Sequence, residues 1–163
     1  STLPDLDLHA RIDADLRRPT CHKLLKMDNE AGLADVLAGQ VECQDAIRAT
    51  AAQNLFLMSS GTTPPNPAEL LGSKKMQESL QQLRQQYEFI FVDSSPVMAV
   101  SDAVYLSAMV DGTLLVVNRK TPNAAREEGS YATGYDEFED SEYSFKPGRC
   151  SQRRLRLLLQ SLL

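Results

Sequence analysis

Three apolar runs of six residues set the strongest limit on how this chain can fold: NLFLMS at 54–59, EFIFVD at 88–93 and TLLVVN at 113–118. They are too short for amphipathic helices and are bounded by Ser, Gly or Asp, as strands covered on both faces are. A weaker fourth run, residues 6–12, ends at Asp13. Between the runs, residues 73–87 read as a helix. Met76, Leu80, Leu83 and Tyr87 fall at i, i+4, i+7 and i+11 on one stripe, and Ser73 is a suitable N-cap. Shorter helices are expected at 32–37, 67–71 and 102–109. Strand, helix, strand at this spacing predicts an α/β domain with a parallel sheet.

At 163 residues and 42% hydrophobic, the chain suits one core. Seventeen Lys and Arg against 22 Asp and Glu give a net charge of −5, which argues against nucleic acid as a partner. No apolar run approaches the ~18–20 residues that span a bilayer. The opening twenty residues, with Asp5, Asp7, Asp13 and Asp15, do not resemble a signal peptide. Cys21, Cys43 and Cys150 lack metal-ligand spacing and fit a reducing, cytoplasmic setting. Residues 127–142 hold seven acidic side chains and no basic one; residues 146–156 hold five basic and no acidic. The chain is therefore divided into a folded part at 1–126 and a tail at 127–163, acidic and tyrosine-bearing at first, basic and Leu-rich at its end.

In a parallel sheet, functional groups gather at the carboxyl ends of the strands. Asp13 closes the 6–12 run within DADLRRP, and Asp93 closes the 88–93 run within FVDSSP. An aspartate at a strand tip is how phosphate-transfer ATPases hold a magnesium shell and orient a nucleophile. Taken singly, each reads more readily as a strand-ending turn. The combination is more specific: DADLRRP, GLADVLAG (32–39), GTTPPNPAELLGS (61–73), FVDSSP and VSDAVYL (100–106) follow in that order.

With these motifs the sequence resembles the bacterial tyrosine-kinase family of capsular and exopolysaccharide synthesis, including the cytoplasmic domains of polysaccharide co-polymerases, over residues 13–121. The resemblance implies a P-loop NTPase-like α/β fold of the deviant Walker type, related to the division-site and partition ATPases. It makes DADLRRP the Walker A′ segment and FVDSSP the Walker B segment. Asp13 and Asp15 would then be catalytic, near the metal and the attacking tyrosyl oxygen, one of them as general base. Asp13 and Asp93 would serve Mg²⁺, Asp93 through water. Arg17 would contact ATP phosphate, and with Arg18 could instead face a neighbouring subunit or form a solvated helix start. The implied cofactors are Mg²⁺ and ATP. The implied partners are a transmembrane polysaccharide co-polymerase or activator and further copies in a ring, at the inner face of the plasma membrane. Tyr131, Tyr135 and Tyr143 would be phosphoacceptors; an acidic tail with incidental tyrosines is the alternative.

The sequence departs from that family at three places. A GxxxxGK[ST] loop, whose amides and lysine cradle phosphates, begins at none of the glycines, and Gly72-Ser73-Lys74-Lys75 is only an imitation. Arg11 stands where the family has an aliphatic run, and a charge in a central strand is costly unless paired. After Glu128 the chain turns acidic where the family has a longer crossover helix and another strand. The expectation is a fragment or degraded member, its sheet trimmed at both ends. Its function is then tyrosine autophosphorylation controlling polysaccharide polymerisation and export, or alternatively an inactive binding module or kinase substrate. A plain partition-type ATPase is disfavoured by PPNPAELL and the tyrosines. His9 and His22 read as surface or satisfied histidines, and Cys21 beside His22 as no nucleophile pair, because adjacent residues point apart. The methionines read as core filler. The 61–67 loop reads as a rigid connection, which by the resemblance would border the active site.

Overall fold

The computed structural model describes residues 8–96, 101–117 and 154–161. All of them belong to one of the chain's two units. The expected strands appear as β1 (His9–Asp13), then β3 (Leu55–Met58), β4 (Phe89–Ser94) and β5 (Gly112–Val117), with a short β2 (Ile47–Ala49) and a sixth strand, β6 (Arg154–Ser161). They form one six-stranded sheet in the order β2-β3-β1-β4-β6-β5. Every neighbouring pair is parallel except β2 with β3. That exception follows from a tight connection. Thr50 N–H donates to Leu55 O at 3.0 Å, and Asn54 takes the left-handed conformation (φ 60°) that asparagine tolerates.

The helices are α1 (Cys21–Leu24), α2 (Leu33–Leu37), α3 (Cys43–Ala46), α4 (Pro67–Leu71), α5 (Lys74–Leu83) and α6 (Asp102–Ser107). Ser73 caps α5 as expected, its Oγ accepting the Met76 N–H at 3.2 Å. Met76, Leu80 and Leu83 are buried against the sheet, each contributing about 2 kcal/mol. The helix stops at Leu83 rather than Tyr87. Tyr87 still closes the stripe, buried and edge-on to Phe56 with ring centroids 5.4 Å apart. The central strand β1 buries Ala10 and Ile12 completely, which fixes its register against β4 from His9 opposite Phe89 to Asp13 opposite Asp93.

The basic, Leu-rich end, expected as part of a tail, contains β6, Arg154–Ser161, paired in parallel with both β4 and β5. The ladder groups of β4 and β5 need partners, and this segment supplies them. Tyr131, Tyr135, Tyr143 and Cys150 lie outside the described residues.

Candidate active site

The carboxyl ends of β1 and β4 bring Asp13 and Asp93 opposite one another in register. Directly after them the Ala14 N–H donates to Asp93 O at 2.7 Å. The A′ segment then turns back over the strand ends. Asp13, 1% exposed, accepts from Thr20 N–H at 3.2 Å and Cys21 N–H at 3.0 Å through Oδ2, and from Asp15 N–H at 3.3 Å through Oδ1. A carboxylate from a neighbouring strand thus satisfies the first amides of α1. Burial pushes the Asp13 carboxyl up, with the Cys21 amide working against that and the nearby Asp93 charge adding to it.

Asp15 sits beside this pair. Its Oδ1 accepts from the backbone N–H groups of Arg17 (3.3 Å) and Arg18 (3.1 Å), and from Ser95 Oγ at 2.6 Å. Asp93 is committed differently. Its Oδ2 accepts from Arg11 Nη2 at 2.7 Å and from Cys21 Sγ at 3.2 Å. Burial, together with the Asp13 and Asp93 charges, pushes the Cys21 thiol far up, so sulfur remains a protonated donor. The charge on Arg11 that looked costly in a central strand is paired with Asp93, its side chain 29% exposed.

Arg17 precedes α1, and its guanidinium reaches across to α6. It holds Asp102, at the first residue of α6, through Nε–Oδ2 (3.0 Å) and Nη2–Oδ1 (3.3 Å). Arg18 is exposed. Sequence reasoning missed Ser95, Asp102 and the thiol of Cys21 as members of this cluster. Ser95 and Asp102 did lie inside the quoted FVDSSP and VSDAVYL motifs, so the signal was present without a partner to give it meaning.

A second cluster lies on the same sheet edge, past β3. Asn29 Oδ1 accepts from Gly61 N–H at 2.9 Å while its Nδ2 donates to Gly61 O at 3.0 Å. Asp35 Oδ2 accepts from Gly32 N–H at 2.9 Å and Thr62 N–H at 3.2 Å. These bonds fix the loop after β3 against the start of α2. A shallow cleft beside them is lined by Asp35, Gln40, Thr62 and Asn66, among others.

Magnesium does not fit the carboxylates as they stand. Asp93 Oδ2 accepts from both Arg11 and Cys21, and Asp13 is taken up by backbone amides. No group of three or more His, Cys, Asp or Glu among the described residues is arranged to hold a metal ion. The histidines are not fully satisfied: the buried Nδ1 atoms of His9 and His22 have no hydrogen-bond partner among the described residues. No described helix is long and apolar enough to cross a membrane.

No protein-family model matches the chain. It is 40% identical over 107 residues to the tyrosine-protein kinase YwqD of Bacillus subtilis, covering 66% of this chain and 45% of that protein. The solved kinase domain of the Escherichia coli tyrosine kinase ETK superposes with a TM-score of 0.64 at 37% identity, covering 68% of this chain and 43% of that one. The septum site-determining protein MinD of Pyrococcus horikoshii, solved with Mg-ADP, superposes at a TM-score of 0.53 and 22% identity, over 66% of this chain and 44% of that one. The fold is that of the P-loop ATPases, with a mostly parallel sheet and flanking helices. The chain spans less than half the length of the curated relatives it matches.

Proposed function

From a chain homologous over 66% to 77% of its length to bacterial tyrosine kinases of the capsule and exopolysaccharide systems, we propose a role in tyrosine phosphorylation that controls polysaccharide polymerisation and export. The role would be exercised at the inner face of the plasma membrane with a transmembrane co-polymerase or activator, in a ring of like subunits. The observation that carries this reading is the in-register pair Asp13 and Asp93 with Asp15 beside it, at the carboxyl edge of a parallel sheet. In the transfer, a tyrosyl oxygen forms a bond to the γ-phosphorus of ATP while the bond to the β-phosphate oxygen breaks and ADP departs. The phenolic proton passes to a carboxylate, and Asp13 and Asp15 are the candidates. Tyr131, Tyr135 and Tyr143 are the proposed acceptors.

A second reading, a binding module or substrate without transferase activity of its own, is favoured by Arg11 on Asp93. No phosphate-cradling GxxxxGK[ST] loop occurs within these 163 residues. Incubation with Mg-ATP, alone and with an active kinase of the family, followed by phosphosite mapping, separates the two. Label on the tail tyrosines without added kinase supports the first reading. Label that needs the added kinase supports the second. If Tyr131, Tyr135 and Tyr143 stay unmodified throughout, or Tyr87 and Tyr105 are labelled equally, the acceptor assignment is wrong.

A further inference from the structure

We propose that Arg11 is a built-in cation that occupies the Asp93 carboxylate and closes it to divalent metal. This rests on reading Asp93 as a carboxylate of the phosphoryl-transfer site. Arg11 stands two residues before Asp13 on β1, so the two side chains share a face of the sheet. On β4 the residues paired with them are Phe91 and Asp93. Arg11 can therefore lie along that face, over the half-open position of Phe91, and deliver its guanidinium to the strand tip. It does so at 2.7 Å, with Asp93 only 5% exposed.

Three features make this an occupied position rather than a passing surface contact. The same oxygen, Asp93 Oδ2, also accepts the Cys21 thiol. The facing carboxylate, Asp13, is held by three backbone amides, so it cannot swing toward a metal without exposing them. The guanidinium already supplies a positive charge where a divalent ion would add two more, and like charges at contact distance in a buried setting repel strongly. A hydrated magnesium ion needs several free oxygens in octahedral arrangement, and here Asp93 Oδ2 and both oxygens of Asp13 are already hydrogen-bonded within the chain.

Mn²⁺ alone is the probe, read as loss of the free-ion electron paramagnetic resonance signal in the presence of the full 163-residue chain. The wild-type chain and Arg11→Lys, which keeps the charge, should bind no Mn²⁺ up to millimolar concentration. Arg11→Gln should gain one site with a dissociation constant at least about tenfold below that millimolar limit, and Arg11→Gln with Asp93→Asn should lose it. Wild-type binding that Asp93→Asn abolishes would overturn the proposal, as would an Arg11→Gln chain that binds no more tightly than wild type. If Arg11→Gln leaves the chain unfolded, Mn²⁺-dependent recovery of its far-ultraviolet circular dichroism supports the proposal, and no recovery overturns it. Mn²⁺ gain without tyrosine labelling would sink the kinase reading alone. Labelling by wild type without such a gain would sink the Arg11 assignment alone.

Discussion

Arg17 and Asp102, 85 residues apart in the chain, form a two-pronged ion pair in which the Asp102 side chain is wholly buried and that of Arg17 is 42% exposed. The pair ties the A′ segment, which carries Asp13 and Asp15, to the first turn of α6. Aspartate in that turn is also favoured by the helix's own amides.

Removing the arginine leaves a buried carboxylate without its two strongest donors. Arg17→Ala should therefore lower stability by about 1–2 kcal/mol, toward the lower end for a buried acceptor because water can reach the half-open arginine position. Arg17→Lys should restore less than half of this, since an ammonium cannot reproduce the planar fork. Urea denaturation measures both. An unchanged midpoint for Arg17→Ala would mean the pair is no more than a surface contact.

Much of this framework was legible in the sequence because burial leaves a local trace. The runs around Phe56 and Ile90 are short and apolar, and each is a strand with buried positions; the run around Leu114 is also a strand, although Leu114 itself is exposed. The stripe Met76, Leu80, Leu83 and the Ser73 cap define α5 to within a turn. What was not legible depends on partners distant in sequence. Cys21–Leu24 and Cys43–Ala46 are each a single turn, too short to show a period. Ile47–Ala49 is a strand because the 50–54 turn folds it onto β3. β6 exists because two other strands need a partner. Arg11 read as an anomaly from sequence, since its meaning lies in a sheet register that places Asp93 two positions along the neighbouring strand.

The loop after β3 is built around glycines that have no room for a side chain. Gly61 is left-handed (φ 75°), and a Cβ there would strike the Asp35 carboxylate; one on Gly32 would strike the Ser59 carbonyl. Gly61→Ala combines backbone strain with displacement of Asp35 and should cost roughly 2–4 kcal/mol. Asp35→Ala, which strands the Gly32 and Thr62 amides, should cost about 1–3 kcal/mol. Because both changes break the same contacts, the double variant should lose clearly less than the sum of the two. Additive losses in thermal or urea melts would separate Gly61 from the Asp35 clamp.

Ser95 holds Asp15 through the shortest bond in the site, 2.6 Å, and so acts as a positioning residue. In any background that labels tyrosine, Asp15→Asn should reduce phosphoryl transfer on the order of 10²-fold, and Ser95→Ala by about tenfold. Ser95→Thr, which keeps the hydroxyl, should recover most of that. If Ser95→Ala transfers phosphate as fast as the parent, Asp15 needs no such support.

Cys43 offers a test of burial that is independent of the aspartate cluster. Burial raises its thiol from an ordinary 9.0 to about 11, Glu42 adding slightly and Lys75 opposing. Below pH 9 the thiol is protonated in both folded and unfolded chains, and it contributes no pH dependence. Between about pH 9 and 11 the unfolded chain releases this proton while the native chain keeps it, so stability falls as pH rises. The loss should reach roughly 2–3 kcal/mol by pH 11. The check is the difference between wild type and Cys43→Ala in urea melts across pH 8 to 11. Cys43→Ala should carry a constant packing loss at pH 8 and draw level with, or pass, the wild type toward pH 11. Parallel curves would show that the Cys43 thiol titrates as it would in water, and that the space beneath α3 is open to solvent. Alkylation reports the same property kinetically: at pH 8 the native thiolate fraction is on the order of 10⁻³, so Cys43 should resist iodoacetamide until the chain is unfolded.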